Sequence, residues 1–342
     1  MTDHPAYNYL VFFPGTGYYR EMFQDAKHMD NAGAIFWSYS YNFFRRLACS
    51  RRLPEFIHRI VFWSFSRTLV RRFRRAAAGM ADPDRPVCFI ISRMFFYMLE
   101  KNLYGVLHEA FPGSKTVVLL TDLIGIHQWL EKIVLRQKDN PSADLIYTFD
   151  PTEAEKYHIH FHNLPFSDCS GPGLTAEESY DVYFFGRDKS RLDTIRQIHE
   201  NLSGRGFRCS FQVTDVPREE QGKTGPEIRK RNWISYKEYL REEAKSRIIL
   251  EVVQGESSGN TLRVYEAIAL GKKLITNNRH LKSNPAYDPE NMFVFEKPED
   301  IPDAFLRGKA GPYSEELKEQ ISLESFLKDV EKDLNRTGTE NV

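Results

Sequence analysis

The chain has 342 residues, 27% of them charged and 41% in the hydrophobic set, so it is long enough for about two domains and too apolar for wholesale disorder. Lysine plus arginine equals aspartate plus glutamate, 47 against 47, which removes any global charge argument for nucleic acid as a partner. Four cysteines (Cys49, Cys88, Cys169, Cys209) lie far apart with no C-x-x-C pair, a pattern of reduced thiols and no zinc ribbon.

The opening stretch MTDHPAYNYLVFFPG has no basic n-region and no small-residue cleavage site, and no apolar run reaches about 18 residues. The expected place of the protein is the cytoplasm. A strand at Asn8–Phe13 leads into Gly15-Thr16-Gly17, where the backbone can approach a substrate closely. A second strand is expected at Ala34–Trp37.

Residues 36–76 then break the charge balance. They hold ten arginines against the single acid Glu55, and eleven aromatic residues, so this segment carries +9 and the rest of the chain −9. Arginines mixed with large rings at helical spacing suit a membrane interface, where rings enter the headgroup boundary and guanidiniums meet anionic phosphates. Arg45, Arg46, Arg71, Arg72 and Trp63 are the membrane or acceptor candidates, and the segment implies peripheral association with the inner membrane. The alternative is an amphipathic helical pair whose rings face the core.

Further strands are expected at Val87–Ile91, Thr116–Leu120, Leu145–Phe149 and Ile159–Leu164, with helical patterns between most of them. That alternation predicts a mostly parallel sheet covered by helices on both faces. Asp122 and Asp150 each follow a strand's carboxyl end and are the candidates for a catalytic base, Asp122 first. For each the plainer reading, which outweighs the first, is a cap of the helix that follows, more so for Asp150. His158, His160 and His162 alternate along the last strand and read as a polar strand face, with no metal assigned.

Residues 166–178, FSDCSGPGLTAEE, are polar with Gly-Pro-Gly at 171–173 and read as a linker. They separate a first domain, 1–165, from a second, 179–312, which restarts the rhythm. Its strands are expected at Val182–Phe185, Phe207–Val213, Ile248–Val253 and Lys273–Thr276. Ser235-x-x-Glu238 forms a capping box, and Gly271 ends a helix over Thr261–Leu270. A charged loop is expected up to about Trp233. A last helix, about 314–334, carries an apolar stripe of Leu317, Ile321, Phe326 and Val330, and residues 313–342 are expected to pack back on the first domain. Two such α/β halves form a cleft, with ligands at the carboxyl ends of the strands.

The most informative stretch is EVVQGESSGNTLRVYEAIALGKK, residues 251–273: strand, glycine-containing polar loop, helix. Gln254, Ser258, Gly259, Asn260 and Thr261 lie in or beside that loop. Free N–H groups at the helix start favour a phosphate, Arg263 can pair with the same diphosphate, and Glu266 can accept from two ribose hydroxyls. A second phosphate candidate is the turn Gly186-Arg187-Asp188-Lys189-Ser190-Arg191, whose Arg187 and Lys189 could neutralise a leaving diphosphate. The alternative there is a solvated basic turn. Tyr236 and Trp233 fall where a base would sit, or pack as core.

The run from Tyr180 to Phe295 resembles bacterial transferases of capsular polysaccharide and lipopolysaccharide biosynthesis, enzymes of the GT-B fold. The pieces that carry the resemblance are YDVYFFGRDKSRL, ISYKEYLREEAKSRIILEVVQ, SSGNTLRVYEAIALGKKLITNN and YDPENMFVF, about a third of the chain. The resemblance implies two Rossmann-like domains facing each other across a cleft. It also implies a UDP- or GDP-sugar co-substrate, no cofactor or metal, a glycan or lipid-linked glycan acceptor, and Glu266 on the donor ribose. Many retaining members carry a second glutamate eight residues earlier, where this chain has Ser258. Two other readings stay open: a nucleotide-sugar epimerase of the same fold, and a degenerate transferase that binds glycan or partners without catalysis.

Overall fold

The computed structural model describes residues 6–15, 17–37, 54–167, 177–188, 190–216, 228–230, 234–253 and 258–339. Arg45, Arg46, Lys189, Trp233, Gln254 and most of the expected linker lie outside the described residues. The chain divides into two compact units, Met1–Ser167 with Leu323–Val342, and Asp168–Ser322.

The first unit is built on one sheet of strands β1 (Asn8–Pro14), β2 (Ala32–Trp37), β3 (Val87–Ser92), β4 (Lys115–Leu120), β5 (Leu145–Thr148) and β6 (His160–Phe161). Their order is β2-β1-β3-β4-β5-β6, and every pairing is parallel. Helices α1 (Glu55–Ala77), α2 (Tyr104–Ala110), α3 (Gln128–Arg136) and α4 (Pro151–Tyr157) belong to the same unit. A parallel strand covered on both faces must be apolar along its whole length, and all seven residues of β1 are buried. Gly15 ends that strand because nothing larger fits: a Cβ there would lie 2.8 Å from the carbonyl oxygen of Trp37. The glycine expected to admit a substrate is explained by the close approach of two chain segments.

The basic and aromatic segment is shared between the interior and the surface. Phe12 packs against Trp37, Phe73 and Phe95 at ring separations of 4.8, 5.2 and 4.7 Å. α1 also buries Phe65, Leu69, Val70 and Ala77. The core reading therefore holds for one face of α1, while Phe56, Ile60, Trp63, Arg71 and Arg72 stand exposed.

The second unit holds β7 (Tyr180–Arg187), β8 (Cys209–Thr214), β9 (Ile228–Lys230), β10 (Ser246–Glu251), β11 (Lys273–Thr276) and β12 (Met292–Val294). Their order is β12-β11-β10-β7-β8-β9, again with every pairing parallel. Helices α5 (Leu192–Gly204), α6 (Tyr236–Ala244) and α7 (Leu262–Leu270) connect the strands. Ser235 caps α6, Thr261 caps α7, and Gly271, left-handed at φ 62°, ends α7. Strand order reverses between β7 and β10, the place where open α/β sheets bind ligands.

The single helix expected near the end is two: α8 (Glu315–Gln320) and α9 (Leu323–Thr339), with the chain turning at Ile321–Ser322. α9 belongs to the first unit. Tyr147 donates to Asp333 at 2.6 Å, Tyr9 to Glu331 at 2.9 Å, and His160 pairs with Asp333 at 2.9 Å. The three alternating histidines do not share a strand face. His158 takes the left-handed position after α4, with φ 54°, and β6 covers only His160–Phe161. His162 is buried edge-on against Phe326 at 5.1 Å, with Asp329 at 3.6 Å.

Burial lowers the pKa of His162, against the opposing pull of the Asn163 carbonyl and Asp329. The folded unit therefore holds this imidazole neutral, and the unfolded chain binds the extra proton. Stability should fall as pH drops below the ordinary histidine value of about 6.5. Thermal melts at pH 7.5 and 5.5 check this, since the pH-dependent loss should shrink in His162→Gln.

Candidate functional site

Two guanidiniums meet at the reversal point of the second sheet. Arg263, in the first turn of α7, donates through Nη2 to the carbonyl of Phe185 in β7 at 2.7 Å. Arg191, at the start of α5, donates to the carbonyl of Arg187 through Nε and Nη2 at 3.2 and 3.1 Å, and to the carbonyl of Val252 just past β10. Arg191 thus ties the carboxyl ends of both central strands. Gly186 leaves room for it, because a Cβ there would stand 3.1 Å from Arg191 Nη2 and 3.1 Å from the Phe184 ring.

Their electrostatic situations differ. Arg263 is ion-paired with Glu266 at 3.4 Å and lies over the Tyr239 ring at 4.8 Å. Burial alone would pull this guanidinium down, but Tyr239, Glu266 and Glu243 outweigh it and hold its pKa above the usual arginine value. Arg191 bonds only to carbonyl oxygens, with no carboxylate bonded to its guanidinium among the described residues. Burial and then the repulsion of Arg263, against the pull of Glu251 and Asp188, bring its pKa down to about 10, so it stays charged at neutral pH.

Glu266 does not face open space. It is completely buried, and its carboxylate accepts from Tyr236, from Tyr239 at 2.8 Å and from Arg263. Tyr239 also contacts Glu243, which is equally buried. Burial, and then the nearby charge of Glu266, push the Glu243 carboxyl well above the usual carboxylate range. One hydroxyl proton cannot serve two carboxylates, so a protonated Glu243 donating to Tyr239 completes the chain. The expected ribose acceptor is the centre of an internal network joining α6 to α7, and Tyr236 is its partner at that place.

The amino end of α7 is partly spoken for. The Thr261 hydroxyl donates to Glu251 and accepts the Arg263 N–H at 3.2 Å, while Thr276 donates to the other Glu251 oxygen. Burial raises the Glu251 pKa in spite of those bonds. Ser258 and Gly259 are buried, and the Gly259 carbonyl accepts from Asn278 at 3.4 Å. Asn260 is the exception. It is fully buried, yet neither its amide oxygen nor its amide nitrogen has a partner among the described residues. A buried polar group left unpaired costs about 1–3 kcal/mol and calls for an explanation.

Of the two cations expected at the turn after β7, Arg187 is described and Lys189 lies outside the described residues. Arg187 points to Asp215 at 3.1 Å, both half-exposed. The N–H groups entering α5 are taken by Asp188, whose carboxylate accepts from Arg191 at 3.2 Å and Leu192 at 3.0 Å. Among the described residues, Arg191 is the guanidinium of this turn that bonds back to the strand-end carbonyls, and the sequence offered it only as one of several charges in a short run.

In the first unit Asp122 and Asp150 part company. Asp150 is buried and caps α4 by accepting from Glu153 at 3.0 Å. Asp122 is 40% exposed and accepts from Arg93 at 2.9 Å, with His127 Nε2 at 3.4 Å. His127, which the sequence did not single out, makes this a carboxylate–imidazole pair, with Ile126 and Trp129 exposed beside it in sequence.

No protein-family model matches the chain, and no curated protein is similar to it in sequence. Among solved structures, an α,α-trehalose-phosphate synthase (UDP-forming) from Burkholderia vietnamiensis matches 99% of this chain and 99% of its own, with a TM-score of 0.51 and 10% identity. Weaker likenesses include the E. coli trehalose-6-phosphate structure bound with UDP-2-fluoro glucose, covering 95% and 96% of the two chains at TM-score 0.42 and 11% identity. The spinosyn rhamnosyltransferase SpnG covers 94% and 99% at TM-score 0.40 and 11% identity. With its two parallel Rossmann-like sheets, the chain has the fold of the GT-B glycosyltransferases.

Proposed function

We propose that the protein is a metal-independent glycosyltransferase. It moves a hexosyl group from a UDP- or GDP-type donor to a surface glycan, lipid-linked and presented at an anionic membrane, in capsular polysaccharide or lipopolysaccharide synthesis. The observation that carries the donor half is the buried amide of Asn260 at the amino end of α7, which has no partner among the described residues. A diphosphate oxygen and a sugar hydroxyl supply the acceptor and donor that this amide lacks. Arg191 and Arg263 would neutralise the departing diphosphate, the electrostatic task a divalent cation performs elsewhere. In the first unit, Asp122 with His127 would take the acceptor's proton. Arg93 fixes the Asp122 carboxylate at 2.9 Å, and the His127 ring nitrogen lies 3.4 Å from the same oxygen, so the pair is held together for that task.

The capsule and lipopolysaccharide assignment rests on the sequence resemblance, and the membrane on the basic, aromatic segment. A second reading, a degenerate transferase that binds without transferring, draws on Ser258 in place of a glutamate and on a Glu266 carboxylate already engaged internally.

Thermal unfolding with UDP, GDP, CMP and dTDP tests the donor site. A ligand at 100 times its dissociation constant adds about 2.7 kcal/mol, and one of these nucleotides should give such a shift. Asn260→Ala should weaken that nucleotide about tenfold, as loss of one buried hydrogen-bonding group implies. The absence of any shift would overturn the proposal. A shift without sugar transfer to any glycan acceptor would select the degenerate reading.

A further inference from the structure

We infer that α1 docks the protein on an anionic lipid bilayer end-first, as a wedge, rather than lying flat on it. The inference deepens the proposal that the acceptor is lipid-linked, and rests on it for its biological sense. On a helix advancing 100° per residue, Phe56, Ile60, Trp63, Arg67, Arg71 and Arg74 fall on one stripe. All six are exposed, with Phe56 at 73%, Ile60 at 50% and Trp63 at 60%. The opposite side of the helix is fixed in the core by Phe65, Leu69 and Phe73.

Along that stripe the chemistry changes with height. An interfacial helix of the usual kind separates apolar from basic residues around its axis. Here the balance shifts along the axis: the first turns present Phe56, Ile57, Ile60 and Trp63, with Glu55 and Arg59 the exposed charges among them, and the next turns present only Arg67, Arg71 and Arg74 on that stripe. From Phe56 to Trp63 the helix rises about 10 Å, which matches the roughly 5–10 Å that apolar groups sink into the headgroup–acyl boundary. Trp63 marks the level of the interface, with the Arg67 guanidinium over its ring at 4.4 Å. Tryptophan and arginine favour that level of a membrane.

The charges agree with this occupant. The described helix carries Arg59, Arg67, Arg71, Arg72, Arg74 and Arg75 against one acid, Glu55 at its tip, and the long Arg59 stem can carry its charge back towards the headgroups. An acidic protein or a nucleic acid would use the arginines and leave Phe56 and Ile60 in water. Among the described residues no helix is long and apolar enough to cross a membrane, so the wedge is a surface anchor.

The test is flotation of the purified full chain with phosphatidylcholine vesicles and with phosphatidylglycerol-rich vesicles, at low and high salt. The wild type should need phosphatidylglycerol, and part of its binding should survive high salt, because apolar burial is not screened. Phe56→Ser/Ile60→Ser should bind at low salt and be released completely at high salt. Arg67→Gln/Arg71→Gln should bind about 30-fold more weakly, from about 1 kcal/mol for each charge. Vesicle binding should blue-shift tryptophan emission, and Trp63→Phe should remove the shift. Equal salt resistance in the Phe56/Ile60 variant, equal binding to neutral vesicles, no flotation, or salt-sensitive binding to RNA in place of vesicles would each overturn the wedge. Nucleotide binding measured without vesicles is independent of α1, so a failed wedge and a failed donor site give different results.

Discussion

Replacing Glu266 by alanine is expected to lower the unfolding midpoint of the second unit by roughly 10 °C, from a loss of about 3–5 kcal/mol at about 2–4 °C per kcal/mol. The carboxylate is completely buried and accepts from Tyr236, Tyr239 and Arg263. Its removal takes an acceptor from the Tyr236 and Tyr239 hydroxyls and leaves the Arg263 guanidinium, only 23% exposed, without its ion-pair partner. Breaking one half of a buried pair costs far more than the pair contributes, because the remaining charge is stranded. Arg263→Ala should destabilise for the reciprocal reason, stranding Glu266. Circular-dichroism melts of both variants decide the matter, and midpoints unchanged from the wild type would show that the network does not bear on folding. Loss of activity in either variant therefore reports on folding as well as on ligand contact, and nucleotide affinity has to be measured on the folded fraction.

Arg191→Met is expected to weaken nucleoside diphosphate binding about 10- to 100-fold, the value of a hydrogen bond to a charged group at about 1.5–3 kcal/mol. Methionine keeps much of the side-chain volume and removes the charge. The carbonyls of Arg187 and Val252 lose a partner, so a modest drop in stability accompanies the change. The parent nucleoside, which has no phosphates, should bind both proteins equally. That contrast identifies Arg191 as the phosphate's cation. Calorimetry with the diphosphate and the nucleoside supplies it, and equal weakening of both ligands would count against the role. Arg187→Met, which removes a half-exposed partner of Asp215, should change diphosphate affinity little.

The strands were readable because a parallel sheet covered on both faces demands contiguous apolar runs, as in residues 8–13 and 248–253. β9 and β12 escaped notice because each is three residues long and sits at a sheet edge beside polar loops. The break between α8 and α9 escaped because the apolar stripe continues across Ile321. Asp150 was readable as a cap from its place between a strand and the next helix, and the structure uses it as one. The loop entering α7 was legible from its glycines, and Arg263 from its place in the first turn of the helix that follows. The closure of Glu266 was not, since its partners Tyr236 and Tyr239 lie 30 and 27 residues away on another helix. Nor could the turn at 186–191 announce which of its cations would bend back; that depends on the Gly186 gap beside the Phe184 ring.

The return of α9 to the first unit has a consequence for biosynthesis. Residues 323–339 are translated after the whole of residues 168–322, yet they complete the earlier unit. While the ribosome is still making the inserted unit, Tyr147 lacks Asp333 and the site that receives Phe326 stands bare. The part made second can therefore mature first, and the nascent first unit must wait, with one face of its sheet uncovered and open to chaperones, until its closing helix emerges.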